Sequence, residues 1–227
     1  MSYILNIETA TKNCSVALAQ DGVVISYKEI ADLGYSHAEK LHVFIDDVLK
    51  ENDVRYNDLS AIAVSQGPGS YTGLRIGVSA AKGLCYALNI PLIAVDTLET
   101  LSLQAKSLAL SGNAVVIPMI DARRMEVYSA IFDAEFKKIR DTQAEIVTPE
   151  SFQDIDSLIY IVGDCAEKCR PVLTAGRFTF VEGIVYPSAK EMCAISFDKH
   201  KKNDTVDVAY FEPFYLKEFF LTSKPTV

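Results

Sequence analysis

An apolar strand that closes on an acid occurs twice in this chain of 227 residues. Ile7-Glu8-Thr9 is matched by Ile120-Asp121-Ala122 at an offset of 113 residues, about half the length. The β-rich run Tyr3–Ile7 leads into the first acid and Ile117–Asp121 ends on the second. A turn and a return strand follow each, Ser15–Ala19 in the first half and Val127–Phe132 after Ala122-Arg123-Arg124 in the second. Strand, acid, turn and strand repeated at half the chain length mark an internal duplication, which restricts the fold to two similar halves.

Around that repeat the period of the apolar residues assigns the remaining elements. Val23–Tyr27 follows the Asp21-Gly22 turn, so the chain opens as a β-meander. Ser36-His37-Ala38-Glu39 then fits a capping box, and Leu41, Phe44, Ile45, Val48 and Leu49 follow at helical spacing, predicting a helix over 36–51. Ala61–Ser65 reads as a buried strand, 70–88 as a second helix, Leu92–Val95 as a strand and 97–109 as a third helix. The order βββαβα is that of a mixed sheet with helices packed on it, an α/β fold. Ser111-Gly112-Asn113 breaks the pattern, which divides the chain into a first domain, 1–110, and a smaller α/β domain, 111–204. The second has a strand over 158–162, a helix over 164–173, a strand over 178–181 and a helix over 188–199. The segment 205–227, with its aromatic run Tyr210–Tyr215, is expected to return to the first domain.

Composition excludes several classes. With 49% hydrophobic and 23% charged residues the chain is not disordered. Its 22 basic and 30 acidic residues leave a net charge of −8, so nucleic acid gripped by this chain alone is disfavoured, because phosphate binding draws on a basic surface. Five scattered cysteines (Cys14, Cys85, Cys165, Cys169, Cys193) read as reduced thiols. The first residues have no basic region before an apolar one, and the most apolar stretch, 73–95, is interrupted by Arg75, Lys82, Asn89 and Pro91. The expected setting is therefore the cytoplasm, with no membrane partner.

The most informative segment is Ser65-Gln66-Gly67-Pro68-Gly69-Ser70-Tyr71-Thr72-Gly73-Leu74-Arg75-Ile76-Gly77, where a glycine-rich turn leaves a strand and opens a helix. Backbone N–H groups at such a helix start hold anions. The spacing is neither the dinucleotide fingerprint nor a P-loop, which favours a tight turn capped by Ser70 over a phosphate site. The helix that follows is apolar on two sides: Leu74, Val78, Ala81 and Cys85 form one stripe, and Ile76, Ala80, Leu84 and Ala87 another. Such a helix is buried in its own fold or sandwiched between its sheet and a partner. Gly73, Gly77 and Ala81, four apart, leave a groove for close helix packing, either within the monomer or against a second protein. His37 and His42 lie five apart and point about 140° away from each other, so they do not chelate one ion. Leu41 stands where a second helical ligand is needed, and no catalytic metal is expected. Glu8 and Asp121 end strands where an acid either binds a metal–nucleotide or caps a turn.

Ile4–Thr11, Gly67–Gly77 and Asp121–Tyr128 together resemble the TsaB (YeaZ) family, and the likeness continues through Gly163-Asp164, Pro187-Ser188-Ala189 and Pro213–Lys217. The resemblance implies an actin/hexokinase/Hsp70-like (ASKHA) fold of two ribonuclease-H-like halves. It also implies a non-catalytic partner of the paralogue TsaD in forming N6-threonylcarbamoyladenosine at position 37 of ANN-decoding tRNAs, with the ATPase TsaE completing the complex. ATP and a metal then belong to the partner subunits, tRNA is met only indirectly, and the chain alone forms a homodimer. The implied partner surface lies on helices 36–51 and 70–88 and carries His37, Leu41, Ile45, Leu74, Gly77, Val78, Ala81 and Cys85. TsaD has its metal-binding His-x-x-x-His on the first of these helices, where this chain has His37 but Leu41. Two departures stand out: Glu8 replaces the family's usual Asp, and His42 replaces an apolar residue. A catalytic relative, either a glycoprotease-like metalloprotein or a nucleotide-dependent ASKHA enzyme, is the alternative; metal content and unaided ATP turnover separate the two.

Overall fold

The computed structural model describes residues 1–31, 37–108, 110 and 112–216. Strands β1 (Tyr3–Glu8), β2 (Asn13–Gln20), β3 (Val23–Ala31), β4 (Leu59–Gly67) and β5 (Leu92–Asp96) form the first sheet in the order β3-β2-β1-β4-β5. β2 runs antiparallel to β1 and β3, whereas β1, β4 and β5 are parallel. The second sheet contains β6 (Val115–Asp121), β7 (Glu126–Phe132), β8 (Lys138–Ile146), β9 (Ile159–Val162) and β10 (Phe178–Phe180), in the order β8-β7-β6-β9-β10. Strand order and directions repeat those of the first sheet. The duplicated strand–acid–strand pattern thus sits at equivalent places in two α/β halves of the same sheet topology.

Helices α1 (His37–Lys50) and α2 (Tyr71–Leu88) cover one face of the first sheet, joining Leu5, Ile7, Val16 and Val64 in the main core. β1 is buried on both faces because the other is also covered, and the polar Asn6 and Glu8 lie on that second face with Ile4. Ser70 caps α2 by accepting from Gly73 N–H at 3.3 Å, and Asn89 ends it in the left-handed conformation. α3 (Thr97–Leu103) begins at an Asp96 cap and α4 (Ala166–Cys169) is a single turn.

Helix α5 (Ala189–Lys201) corrects the division at 204. It was expected in the second unit, yet it packs on the first sheet, where Ala189, Met192 and Cys193 meet Ile4, Ala17, Ala19, Ala61 and Ala63. The alanines on that face leave the depth a helix needs. α3, read with the first half, instead packs Leu98 and Leu101 against Val116, Ile120 and Phe132 of the second sheet. α5 therefore completes the second face of the first sheet, and α3 lies between the two sheets, touching β4 and β5 as well as β6.

Other elements also differ. β8 was not expected, because Lys138, Arg140, Asp141 and Glu145 hide its alternation on an edge strand. The helix predicted over 164–173 is one turn ending just before Pro171, whose ring cannot continue it. The third helix ends at Leu103 and continues as a 3₁₀ turn, Gln104–Ser107. Ser36, read as the cap of α1, and Ser111 of the breaker lie outside the described residues, as does the tail beyond 216. Residues 206–214 run back along the first half: Val206 N–H bonds Leu92 O, Lys82 Nζ bonds the carbonyls of Ala209 and Phe211, and Phe214 N–H bonds Gln66 O.

Candidate functional site

The glycine-rich turn fits against the chain's own backbone. Ser70 N–H donates to Ala10 O at 2.7 Å, and Thr9 Oγ1 donates to Gly73 O at 2.8 Å. A Cβ at Gly69 would stand 2.3 Å from Ala10 O, and one at Gly73 2.1 Å from Thr9 O. The turn after β1 therefore packs directly against this helix start, where Ser70 N–H and Gly73 N–H are already bonded within the chain. The Ser70-capped tight turn is the reading that the geometry matches.

The two matched acids have unlike surroundings. Glu8 is fully buried; its Oε1 accepts from Ala10 N–H at 2.6 Å and Ser65 Oγ at 3.0 Å, while Oε2 has no partner among the described residues. Burial pushes its carboxyl up to about 7, against the pull of these hydrogen bonds. Asp121 is half-exposed and paired with Lys168, and it also accepts from Arg123 N–H. Both carboxyls are thus engaged within the chain, one by backbone and Ser65 and the other by Lys168. Among the described residues no three His, Cys, Asp or Glu side chains converge as metal ligands, and no helix is long and apolar enough to cross a membrane.

The sequence-predicted surface residues lie inside the protein. His37, Leu41, Ile45, Leu74, Val78, Ala81 and Cys85 are at most 4% exposed, and Gly77 is buried with them. Leu41, Ile45, Val78, Ala81 and Cys85 belong to the main core. His37 bonds Thr11 O at 2.8 Å through Nε2, and desolvation lowers its pKa. Gly77 faces Thr9 Oγ1, 2.2 Å from where a Cβ would stand. The small-residue groove therefore receives the turn after β1 rather than a second protein's helix. This is a correction to the predicted surface, and its cause is the close approach of the turn after β1, which only the side of α2 carrying Gly73 and Gly77 admits.

The second stripe is left outside. Ile76, Ala80 and Leu84 are half-buried at the edge of the core, and with Ala38, His42 and Arg75 they line a groove of about 770 Å³ between α1 and α2. Val43 and Tyr86 stand exposed on the same two helices. At the N-terminal end of α2 the Tyr71 ring stacks on Tyr215 at 4.9 Å, and Arg75 lies over Tyr71 and bonds its hydroxyl. His42 faces this groove while His37 points into the core, as their five-residue spacing predicts. A mostly apolar groove with a cationic and aromatic end has the composition of a protein-docking surface.

Comparison with known proteins follows the same residues. The family model described as TsaD, tRNA N6-adenosine threonylcarbamoyltransferase, matches residues 31–211. A protein of Escherichia coli named tRNA threonylcarbamoyladenosine biosynthesis protein TsaB is 32% identical over 227 aligned residues, covering 94% of each chain. The protein of that name from Bacillus subtilis is 34% identical, over 78% of this chain and 71% of its own. Among solved structures, YeaZ from Pseudomonas aeruginosa superposes with a TM-score of 0.79 at 26% identity, covering 95% of this chain and all of its own.

Proposed function

Because the chain belongs to the TsaB family of tRNA threonylcarbamoyladenosine biosynthesis proteins, we propose that it serves this tRNA modification as a non-catalytic scaffold and activator. It takes part in forming threonylcarbamoyladenosine in tRNA. In this reading it binds the paralogous transferase TsaD through the outer face of α1 and α2, meets TsaE through that complex, and pairs with a second copy through the same face when alone. The supporting observation is the groove over Ile76, Ala80 and Leu84, an apolar strip left on a helix whose other stripe is already buried. A strip of this kind marks an association surface.

Ile76→Glu is expected to abolish co-purification with the TsaD of the same organism, because it places a charge at the centre of a desolvated contact. The variant should keep a cooperative thermal transition near the parent's midpoint, since Ile76 is only half-buried. A folded Ile76→Glu protein that binds TsaD with unchanged affinity in calorimetry would remove this face from the reading.

The chain carries no cofactor of its own in this proposal, ATP and a metal belonging to the partners. Support comes from Leu41, an apolar and fully buried residue in the second ligand's place, and from the sealed Glu8. The purified chain is expected to retain no stoichiometric zinc or iron and to transfer no threonylcarbamoyl group unaided. One metal per chain in elemental analysis would count for the catalytic alternative.

A further inference from the structure

We propose that the turn between β6 and β7 is a binding site for the phosphodiester backbone of RNA, with Arg123 and Arg124 as its two contacts. Both arginines are exposed, and no ion pair reaches either guanidinium among the described residues. Both have left-handed backbones, with φ of 73° and 51°. Side chains other than glycine pay for that conformation, and glycine is the ordinary residue where a turn requires it. Here arginine stands at two consecutive positions instead.

The turn is also braced. Lys168 Nζ bonds Arg124 O at 3.0 Å and Glu126 O at 2.7 Å besides the Asp121 carboxylate. Arg123 N–H donates to Asp121 Oδ1 at 2.9 Å, and Asp121 N–H to Asp164 Oδ1 at 2.8 Å. Gly163 permits that last contact: its φ is +122°, and a Cβ there would stand 1.9 Å from Met119 O. Two of the nearby acids have defined tasks. Lys168 neutralises Asp121, and Asp164 is turned onto the backbone, so neither pairs with the guanidiniums.

Two consecutive left-handed residues held by a surrounding network are an outlier from which a functional role can be inferred. The turn lies at the carboxyl ends of the parallel strands β6 and β9, where ligands of open α/β sheets gather. Two unneutralised guanidiniums on a rigid turn suit phosphate oxygens, which arginine binds bidentately. On a chain of net charge −8 they form a local exception to the acidic whole. The names of the relatives specify tRNA, a polymer of phosphodiesters, which makes RNA the ligand argued for. The proposal departs from the expectation that tRNA is met only through partners, and it is independent of the docking face on α1 and α2.

The test uses the chain alone, ¹⁵N-labelled, with an unmodified anticodon stem–loop RNA as probe. The Nε–H resonances of Arg123 and Arg124 are expected to shift on titration, while those of Arg170 and Arg177 stay in place. Arg123→Gly/Arg124→Gly relieves the strained backbone, so its melting midpoint should not fall, yet its RNA affinity should drop about tenfold or more and its salt slope by about two. Arg123→Lys/Arg124→Lys keeps the charge and should retain the slope. The proposal is overturned if the double-glycine variant binds RNA as the parent does, or if inorganic phosphate moves these resonances and RNA does not.

Discussion

Gly77→Leu and Gly73→Val are expected to yield protein without a cooperative thermal transition. A Cβ at Gly77 would lie 2.2 Å from Thr9 Oγ1 and one at Gly73 2.1 Å from Thr9 O, both far inside van der Waals contact. At Gly73 the obstacle is a carbonyl oxygen of the turn after β1. That turn is itself tied to α2 by the Thr9–Gly73 and Ser70–Ala10 hydrogen bonds, so relief means parting the helix from the sheet. Overpacking ordinarily costs about 1–3 kcal/mol, and a backbone clash without relief belongs to the exceptional class above roughly 4. Against a typical stability of about 5–15 kcal/mol this removes most of the fold's margin. Gly83 is the internal control, since a Cβ there meets nothing within 4 Å. Gly83→Ala should stabilise the helix by up to about 1 kcal/mol. Circular dichroism melts of the three variants check this, and a Gly77→Leu protein that melts like the parent would place the small-residue groove on the outside after all.

The second large effect is a pH dependence carried by Glu8. Its folded-state carboxyl titrates at about 7, above the ordinary value of 4.5, because burial penalises the charged form. The folded protein therefore holds this proton over a range where the unfolded chain has lost it. The sign follows: the contribution is fully present below about 4.5 and is lost as pH rises through about 7. At about 1.4 kcal/mol per pK unit the whole change amounts to roughly 3 kcal/mol. Glu8→Gln mimics the protonated acid and can keep accepting from Ala10 N–H and Ser65 Oγ. It is expected to exceed the parent in urea unfolding by less than about 1 kcal/mol at pH 5 and by about 3 kcal/mol at pH 8. Glu99, Asp164 and Glu191 are also raised by burial, so the informative quantity is the difference between the two proteins at each pH. An equal difference at both pH values would mean that Glu8 is ionised in the folded state.

Much of the architecture was legible because it rests on local patterns. The matched Ile7-Glu8 and Ile120-Asp121 pairs announced two like sheets, and both have the same strand order. The 3.6-residue period found α1 and α2 to within about a residue at each end, and Ser70 caps α2 as its place before the apolar run implied. The family was also legible, since the Gly-Pro-Gly-Ser segment is specific and the motifs follow one another in order. β8 was missed because it is a half-charged edge strand, and period-2 alternation is weak where neither face is deeply buried.

What the sequence determined by itself was therefore the α/β class, the duplication and the bounds of α1 and α2, because each depends on residues near one another in the chain. Which stripe of α2 faces outward was decided only by the tertiary structure. Both stripes are apolar at helical spacing, and periodicity cannot rank them; the side of α2 that carries Gly73 and Gly77 turns inward, because residues without a side chain leave room there for Thr9. The placement of α5 on the first sheet was hidden for the same reason, since the alanine face that receives it is assembled from strands far apart in sequence. Glu8 and Asp121 look equivalent in the sequence, yet one is sealed with a raised pKa and the other is held by Lys168. Their neighbours, Ser65 in one case and Lys168 in the other, arrive from more than forty residues away, and it is the company of a carboxylate that sets its charge.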